Sequence, residues 1–223
     1  MMPEGGDGFS ESHASSTRGR TICPAIPCVT VKDLAGGYSG ATGRVSCLGC
    51  GDVDEALVEL FKHKTWATLL VIEALQGMGT DVLDLTTPGT YGTIRATLQH
   101  LVAADESYLA TITGNPALPL PGEQVPLEAL ADRIRELGPR WDALARDPGA
   151  PSREVTTGDG WRTPAAVPIA QAIHHAECHR GHVLSVIGAH GIELPGLDIG
   201  EDLDIWHHGI AVGLMQETGM AQD

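Results

Sequence analysis

Apolar residues recur at helical spacing along most of the chain after residue 52. In the segment DVDEALVELFKHKTWATLLVIEALQGM they fall mostly three or four positions apart, which predicts a first long helix. Asp52 or Asp54 is suited to cap the start of this helix, and Gly77 and Gly79 are suited to its end.

Three further segments show the same periodicity. A second helix is expected from about Thr90 to Thr113, and a third in LEALADRIRELGPRWDALARD, with a kink at its Gly-Pro step. A fourth has Pro168 in its first turn and runs to about His190. Four long amphipathic helices without long strands predict an all-α fold, an antiparallel four-helix bundle.

Shorter elements are expected around these helices. Residues 148–166 carry Pro, Gly, Thr and Trp and cannot form a regular helix, so a short hairpin or an ordered loop is expected there. The segment DLDIWHHGIAVGLM suggests a short final helix. The bundle is therefore expected to occupy residues 52–215.

The first fifty-one residues have a different character. Residues 1–20 have almost nothing apolar to bury and predict a disordered tail, and residues 21–51 are short β-prone pieces broken by Gly and Pro. We therefore expect 1–51 to be a disordered or irregular extension. It contains four cysteines in the order C-x4-C, an 18-residue gap and C-x2-C: Cys23, Cys28, Cys47 and Cys50. This spacing approaches that of a structural zinc site, although a reduced, irregular segment is the alternative.

Charge and composition exclude several kinds of partner. The chain has 223 residues, 42% of them apolar, and a formal net charge of -15. No basic patch is present to contact nucleic acid, and the acidity repels anionic membranes. The five cysteines are an odd number, and the start of the chain has no apolar leader, so a cytoplasmic protein without disulfides is expected.

The segment IHHAECHRGH, residues 173–182, holds four of the ten histidines. His175 and His179 are four residues apart, so they lie one above the other on a helix face, and His182 points roughly the same way. His100 is a mid-helix histidine on the second predicted helix. Together these residues suggest a metal site, although a solvated polar face and a hydrogen-bonded core histidine are the simpler alternatives. The pair lacks the Glu of an HExxH zincin motif.

Three quoted segments carry a resemblance to a known family. LFKHKTWATLLVIEAL, TIRATLQHLVAADESYL and AIHHAECHRGHVLSVI resemble the first, second and fourth helices of the DinB family, metalloprotein bundles that include the YfiT-like proteins. The most specific element is H-R-G after a spaced histidine. The chain departs from the family pattern N-H-x-x-x-H-R-G-Q, because His174 stands in place of its Asn and His182 in place of its Gln.

The resemblance implies a metal site and roles around it. The family's metal histidines fall on His100, His175 and His179, which are expected to hold one divalent zinc, nickel or iron ion. His182 is about 10 Å along the helix axis from His175, so it is expected beside the ligands, as a proton carrier, rather than among them.

The neighbouring charged residues have expected roles as well. Glu177 and Asp105 are candidates to orient the imidazoles, with solvated helix residues as the alternative. Arg180 is a candidate to bind a substrate carboxylate, or else it pairs with an acid across the bundle.

The resemblance also implies an activity, and three functions stay open. The first is a metal-dependent thiol S-transferase that joins a low-molecular-weight thiol to a small electrophile. The alternatives are a non-catalytic metal-binding stress-response protein and a metal-dependent hydrolase. A homodimer is a further expectation.

Overall fold

A computed structural model describes residues 53–122 and 124–215 of the chain. Four long helices make up most of these residues. They are α1 (Glu55–Leu75), α3 (Ile94–Thr113), α4 (Leu127–Ala145) and α5 (Ala166–Ala189). Two shorter helices accompany them, α2 (Thr80–Leu83) and α6 (Ile205–Ala211). The all-α four-helix bundle predicted from the pattern of apolar residues is confirmed.

The long helices pack in two main pairs, α1 against α4 and α3 against α5. The buried core is largely aliphatic at one end, where Val71, Leu98, Leu130 and Ile187 meet. At the other end it is built around Phe61 and Trp141, whose rings stack with centroids 4.6 Å apart. This burial supplies the main driving force for assembling the bundle.

Polar side chains fix where two of the helices begin. Asp54 accepts hydrogen bonds from the backbone nitrogens of Ala56 and Leu57, at 3.1 and 3.3 Å, and so caps α1 as the sequence suggested. Thr93 accepts from the backbone nitrogen of Ala96 at 3.1 Å and caps α3. That cap explains why α3 starts later than the predicted Thr90.

The connections contain the hairpin expected between the third and fourth helices. A short 3-10 turn, Ala150–Ser152, precedes strand β1 (Glu154–Thr156), which pairs antiparallel with β2 (Arg162–Pro164). The hairpin leads directly into α5. The sequence did not indicate α2, because four residues are too few to show a helical period.

Two expectations about the N-terminal part of the chain lie outside the described residues. One is the irregular extension over 1–51, with the boundary of the bundle at residue 52. The other is the zinc site at Cys23, Cys28, Cys47 and Cys50. Within the described residues, none of the helices is both long and apolar enough to cross a bilayer.

Candidate metal centre

Three histidines from two helices converge on one point between α3 and α5. His175 and His179 stand one turn apart on α5, and their ring centroids are 4.2 Å apart. From α3, His100 reaches toward both, with its Nε2 3.0 Å from the Nε2 of His175. Its ring centroid lies 4.8 Å from that of His179. The α3–α5 packing therefore brings together the three positions that the sequence singled out.

The spacing of the nitrogens fits a single ion. Each histidine offers one ring nitrogen, and these three atoms lie within 4.8 Å of one another. Bonds of about 2 Å to one tetrahedral metal place the nitrogens about 3.3 Å apart. The 3.0 Å between the Nε2 atoms of His100 and His175 is already close to that value. Small side-chain rotations would bring the nitrogen of His179 to a similar distance from the other two.

The surroundings keep the imidazoles in the form that binds metals. Burial, together with the like charges of His179 and His100, lowers the pKa of His175 to about 3. Burial also lowers the pKa of His179 to about 4, with His100 and His182 contributing in the same direction. The pKa of His100 is lowered by burial as well. All three rings are thus neutral at pH 7, and each keeps a lone pair for a ligand bond.

Two tyrosine side chains, which the sequence analysis did not single out, pack against this group. The Tyr91 ring stacks on His100, with centroids 4.3 Å apart and planes inclined by 16°. The same ring meets His179 edge-on at 5.0 Å. On the other side, the Tyr108 ring lies edge-on to His175 at 5.5 Å. The contacts to His179 and His175 join residues far apart in the chain, so local spacing could not reveal them.

His182 lies beside the three histidines without belonging to the group. Its ring centroid is 5.2 Å from that of His179, in an edge-on contact. The Nδ1 atoms of His179 and His182 are both buried and have no hydrogen-bond partner among the described residues. Buried nitrogens of this kind fit a polar site that takes up a further group. The role of His182 beside the ligands stays a prediction.

The structure gives Asp105 and Glu177 partners other than the imidazoles they were expected to orient. The buried Asp105 carboxylate accepts from Lys64 Nζ at 2.5 Å and from Trp141 Nε1 at 3.1 Å, so its two oxygens are engaged within the core. Glu177 Oε2 accepts from Arg180 Nη2 at 2.5 Å. The role of Asp105 and Glu177 in orienting the imidazoles stays a prediction.

Arg180, the candidate substrate-binding residue, lies buried against α1. Its side chain is buried, and its Nη1 donates to the backbone oxygen of Lys64 at 3.3 Å and to Thr68 Oγ1 at 3.0 Å. Its ion pair is with Glu177 on the same helix, not with an acid across the bundle. Arg180 thus links α5 to α1, and its role in binding a substrate carboxylate stays a prediction.

One comparison places this architecture among known folds. A solved structure of a DinB-like protein from Bacillus cereus ATCC 10987 aligns with a TM-score of 0.50 and 19% sequence identity. The alignment covers 67% of this chain and 100% of that one. The chain therefore has the DinB-like fold, as the three quoted segments suggested. No protein-family model matches the sequence, and no curated protein matches it.

Proposed function

We propose that the chain is a metal-dependent thiol S-transferase and that His100, His175 and His179 hold its metal ion. The observation that carries the proposal is the convergence of three neutral imidazoles, with one ring nitrogen from each within 4.8 Å of the others. A three-histidine set leaves further coordination positions for exogenous ligands, as catalytic sites require.

The donor set suits a divalent ion of borderline softness. Neutral imidazole binds zinc, nickel and iron well, whereas magnesium and calcium prefer oxygen ligands. When bound, such an ion lowers the pKa of a thiol or a water molecule and supplies it in anionic form at neutral pH.

Access to the group favours an open site over a closed structural one. His100 and His175 are partly exposed, and the Tyr91 ring that covers His100 is itself 40% exposed. A small ligand can therefore approach the ring nitrogens from solvent.

The residues of the chain have distinct parts in this proposal. His100, His175 and His179 fix the position of the reacting sulfur, and Tyr91 and Tyr108 limit the directions from which the electrophile reaches it. His182 stands next to His179 and acts beside the ligands, where it can accept the proton that the thiol loses. In the transfer, the sulfur forms a bond to an electrophilic carbon, and that carbon's leaving group departs with the bonding electrons.

A thiol-consumption assay tests this function. Full-length untagged chain is loaded with zinc, nickel or iron(II), and the loss of a low-molecular-weight thiol is followed in the presence of a chromogenic aryl chloride. We expect consumption that depends on the metal and disappears in His100→Ala. The exposed His174, next to the group but outside it, provides the matched control: His174→Ala should keep the activity.

The alternatives predict different results in the same assay. A hydrolase would act on ester substrates without any thiol. A non-catalytic metal-binding protein would hold the ion yet consume neither kind of substrate. Either result would overturn the transferase proposal.

A further inference from the structure

The short helix α6 and the residues that follow it present apolar side chains to solvent. Of the eleven large apolar side chains that are exposed in the described part of the chain, six fall within residues 205–215 and form what we call the α6 surface. They are Ile205, Trp206, Ile210, Val212, Leu214 and Met215. Single exposed apolar residues are ordinary, whereas a cluster of them is the usual mark of an interaction surface.

The inward face of α6 carries a polar residue instead. His208 is buried, and its ring centroid lies 5.2 Å from that of Trp66 and 5.8 Å from that of His63, both on α1. Trp206 and Ile210 are four residues apart and exposed, so they lie together on the outer face of the helix. This arrangement reverses that of an amphipathic helix whose task is to cover a core.

The chain turns back after α6 and packs against it. The backbone nitrogens of Leu214 and Met215 donate to the backbone oxygen of Gly209, at 2.8 and 3.0 Å. Gly213 makes this turn with a φ of 75°, in the left-handed region that favours glycine. A Cβ added at Gly209 would lie 3.1 Å from the side chain of Met215. The α6 surface is thus a folded part of the molecule.

Two cavities adjoin α6 and give this surface its relief. One, of about 280 Å³, has apolar walls from Ile205, Trp206, Leu214 and Met215. The other, of about 260 Å³, has apolar walls from Trp66, Leu70 and Ile210. Both volumes lie below the usual range for small-molecule sites. The cavities therefore suit side chains of a protein partner better than a whole ligand.

The charge around the α6 surface is acidic. After Arg180 the sequence has seven acidic residues and no lysine or arginine. Three of the acids, within EDLD at residues 201–204, directly precede α6. Apart from histidines, the charged residues among the described ones that line the two cavities are Glu59 and Asp202. Such a surface attracts a basic partner and repels an acidic one.

Glu59 also has an oxygen without a donor. Its Oε1 accepts from Lys62 Nζ at 2.7 Å, whereas its Oε2 is buried and has no hydrogen-bond partner among the described residues. His208 Nε2 lies 3.6 Å from that oxygen, which is beyond hydrogen-bond distance. A lysine or arginine side chain that entered the cavity beside Glu59 would supply the missing donor.

We infer that the α6 surface docks a basic amphipathic segment of another protein. Apolar side chains of the segment fill the two cavities, and its lysine or arginine residues face Glu59 and the acids that precede α6. A helix suits this role because its apolar and basic residues separate onto two faces. A second copy of this chain is a poorer match, because it brings the same acidic residues to the contact. The inference is independent of the metal site and of the transferase proposal.

Fluorescence anisotropy with the full-length chain tests the docking. The probe is a labelled synthetic peptide of leucine and lysine, placed at helical spacing so that one face is apolar and the other basic. We expect binding that Trp206→Ala weakens at least about tenfold, as for a central aromatic residue of an interface. Ile210→Ser, on the same outer face, should weaken it as well. Trp161→Ala is the matched control, because Trp161 is equally exposed but lies in the β-hairpin.

Two further peptides separate charge from apolar contact. One has glutamate in place of each lysine, and the other has the original residues in an order that gives no apolar face. Each should bind at least about tenfold more weakly than the basic amphipathic peptide. Equal binding of either peptide, or binding that neither Trp206→Ala nor Ile210→Ser changes, would overturn the inference.

The same variants identify any other occupant of the surface. Sedimentation equilibrium shows whether Trp206→Ala converts a dimer into a monomer, and cosedimentation with phosphatidylcholine vesicles shows whether it abolishes binding to lipid. We expect Trp206→Ala to change neither result. A dimer or a lipid complex that this variant disrupts would assign the α6 surface to a second copy or to a membrane, and would contradict the docking of a basic segment.

Discussion

The protonation state of the three histidines is set by their neighbours. Burial is the largest cause of the lowered pKa at each position, and positive charge on one ring disfavours it on the next. The three imidazoles are consequently neutral at pH 7. This is the condition that a metal site requires before any ion arrives.

The metal-free chain should lose stability as the pH falls from about 6.5 toward 4. The folded-state pKa values of about 3 for His175 and about 4 for His179 lie below the ordinary value of 6.5. The unfolded chain therefore takes up protons first, and the stability that depends on these neutral rings is present above pH 6.5 and lost below it. Urea unfolding at pH 7 and pH 5.5, with chelator present, measures this loss.

The control for this prediction is His175→Asn, which removes the most strongly shifted group. Its urea midpoint should fall less between the two pH values than that of the unchanged chain. The same fall in both proteins would contradict the assigned cause.

His182→Gln should leave the metal content unchanged. The His182 ring lies beside His179 but does not belong to the group of three whose nitrogens converge. Glutamine preserves the approximate size of the side chain and removes the titrating ring. Mass spectrometry of the native protein measures the bound ion, and a loss equal to that of His179→Ala would show that His182 is a ligand.

At the scale of the helices, buried polar contacts fix how α1 lies against its neighbours. Lys64 of α1 pairs with Asp105 of α3 in the core, and its ammonium also lies 4.7 Å from the ring centre of Trp141 on α4. Burial lowers the pKa of Lys64, although Asp105 acts in the opposite direction. Arg180 of α5 donates a hydrogen bond to the backbone oxygen of Lys64 and so links α5 to the same stretch of α1.

Asp105→Asn should destabilise the bundle by about 3 kcal/mol, because it leaves the buried Lys64 without its counter-charge. The surface pair between Asp132 and Arg135 provides the control, since both side chains are largely exposed. Asp132→Asn should change the free energy of unfolding by less than about 1 kcal/mol. Urea unfolding of the two variants compares them, and equal effects would rule out the special role of the buried pair.

Gly138 allows α4 to approach α1 closely. A Cβ added at this position would lie 2.9 Å from Thr65 Cγ2, which is too close unless Thr65 moves. Thr65 is held by a hydrogen bond from its hydroxyl to the backbone oxygen of Phe61. The structure has one helix from Leu127 to Ala145 with Pro139 inside it. The kink expected at this Gly-Pro step stays a prediction.

Gly138→Ala should therefore lower stability by about 1–2 kcal/mol, although alanine has the higher helix propensity. Gly188 of α5 has open space where its Cβ would lie. Gly188→Ala is thus expected to raise stability by up to about 1 kcal/mol. Thermal unfolding of both variants checks the opposite signs. Stabilisation by Gly138→Ala would disprove the close approach.

For the whole molecule, the sequence revealed the parts that depend on local pattern. Helical periodicity predicted the four long helices, and the spacing of His175 and His179 on one face predicted that they lie together. His100 needed the family resemblance in addition, because its partners lie on another helix. Arg180 and Asp105 were candidates for roles beside the metal ligands, and the structure shows contacts of both within the core. Their charge types suit either role, and only the packing of α1 against its neighbours decides between them.

The most direct test of the account is the metal content of the full-length, untagged chain and of two single variants. Inductively coupled plasma mass spectrometry gives the ions bound per chain after loading with zinc or nickel and removal of excess metal. We expect His100→Ala to hold about one ion fewer than the unchanged chain and His174→Ala to hold the same number. Equal metal content in all three proteins would contradict the claim that His100, His175 and His179 form a metal site.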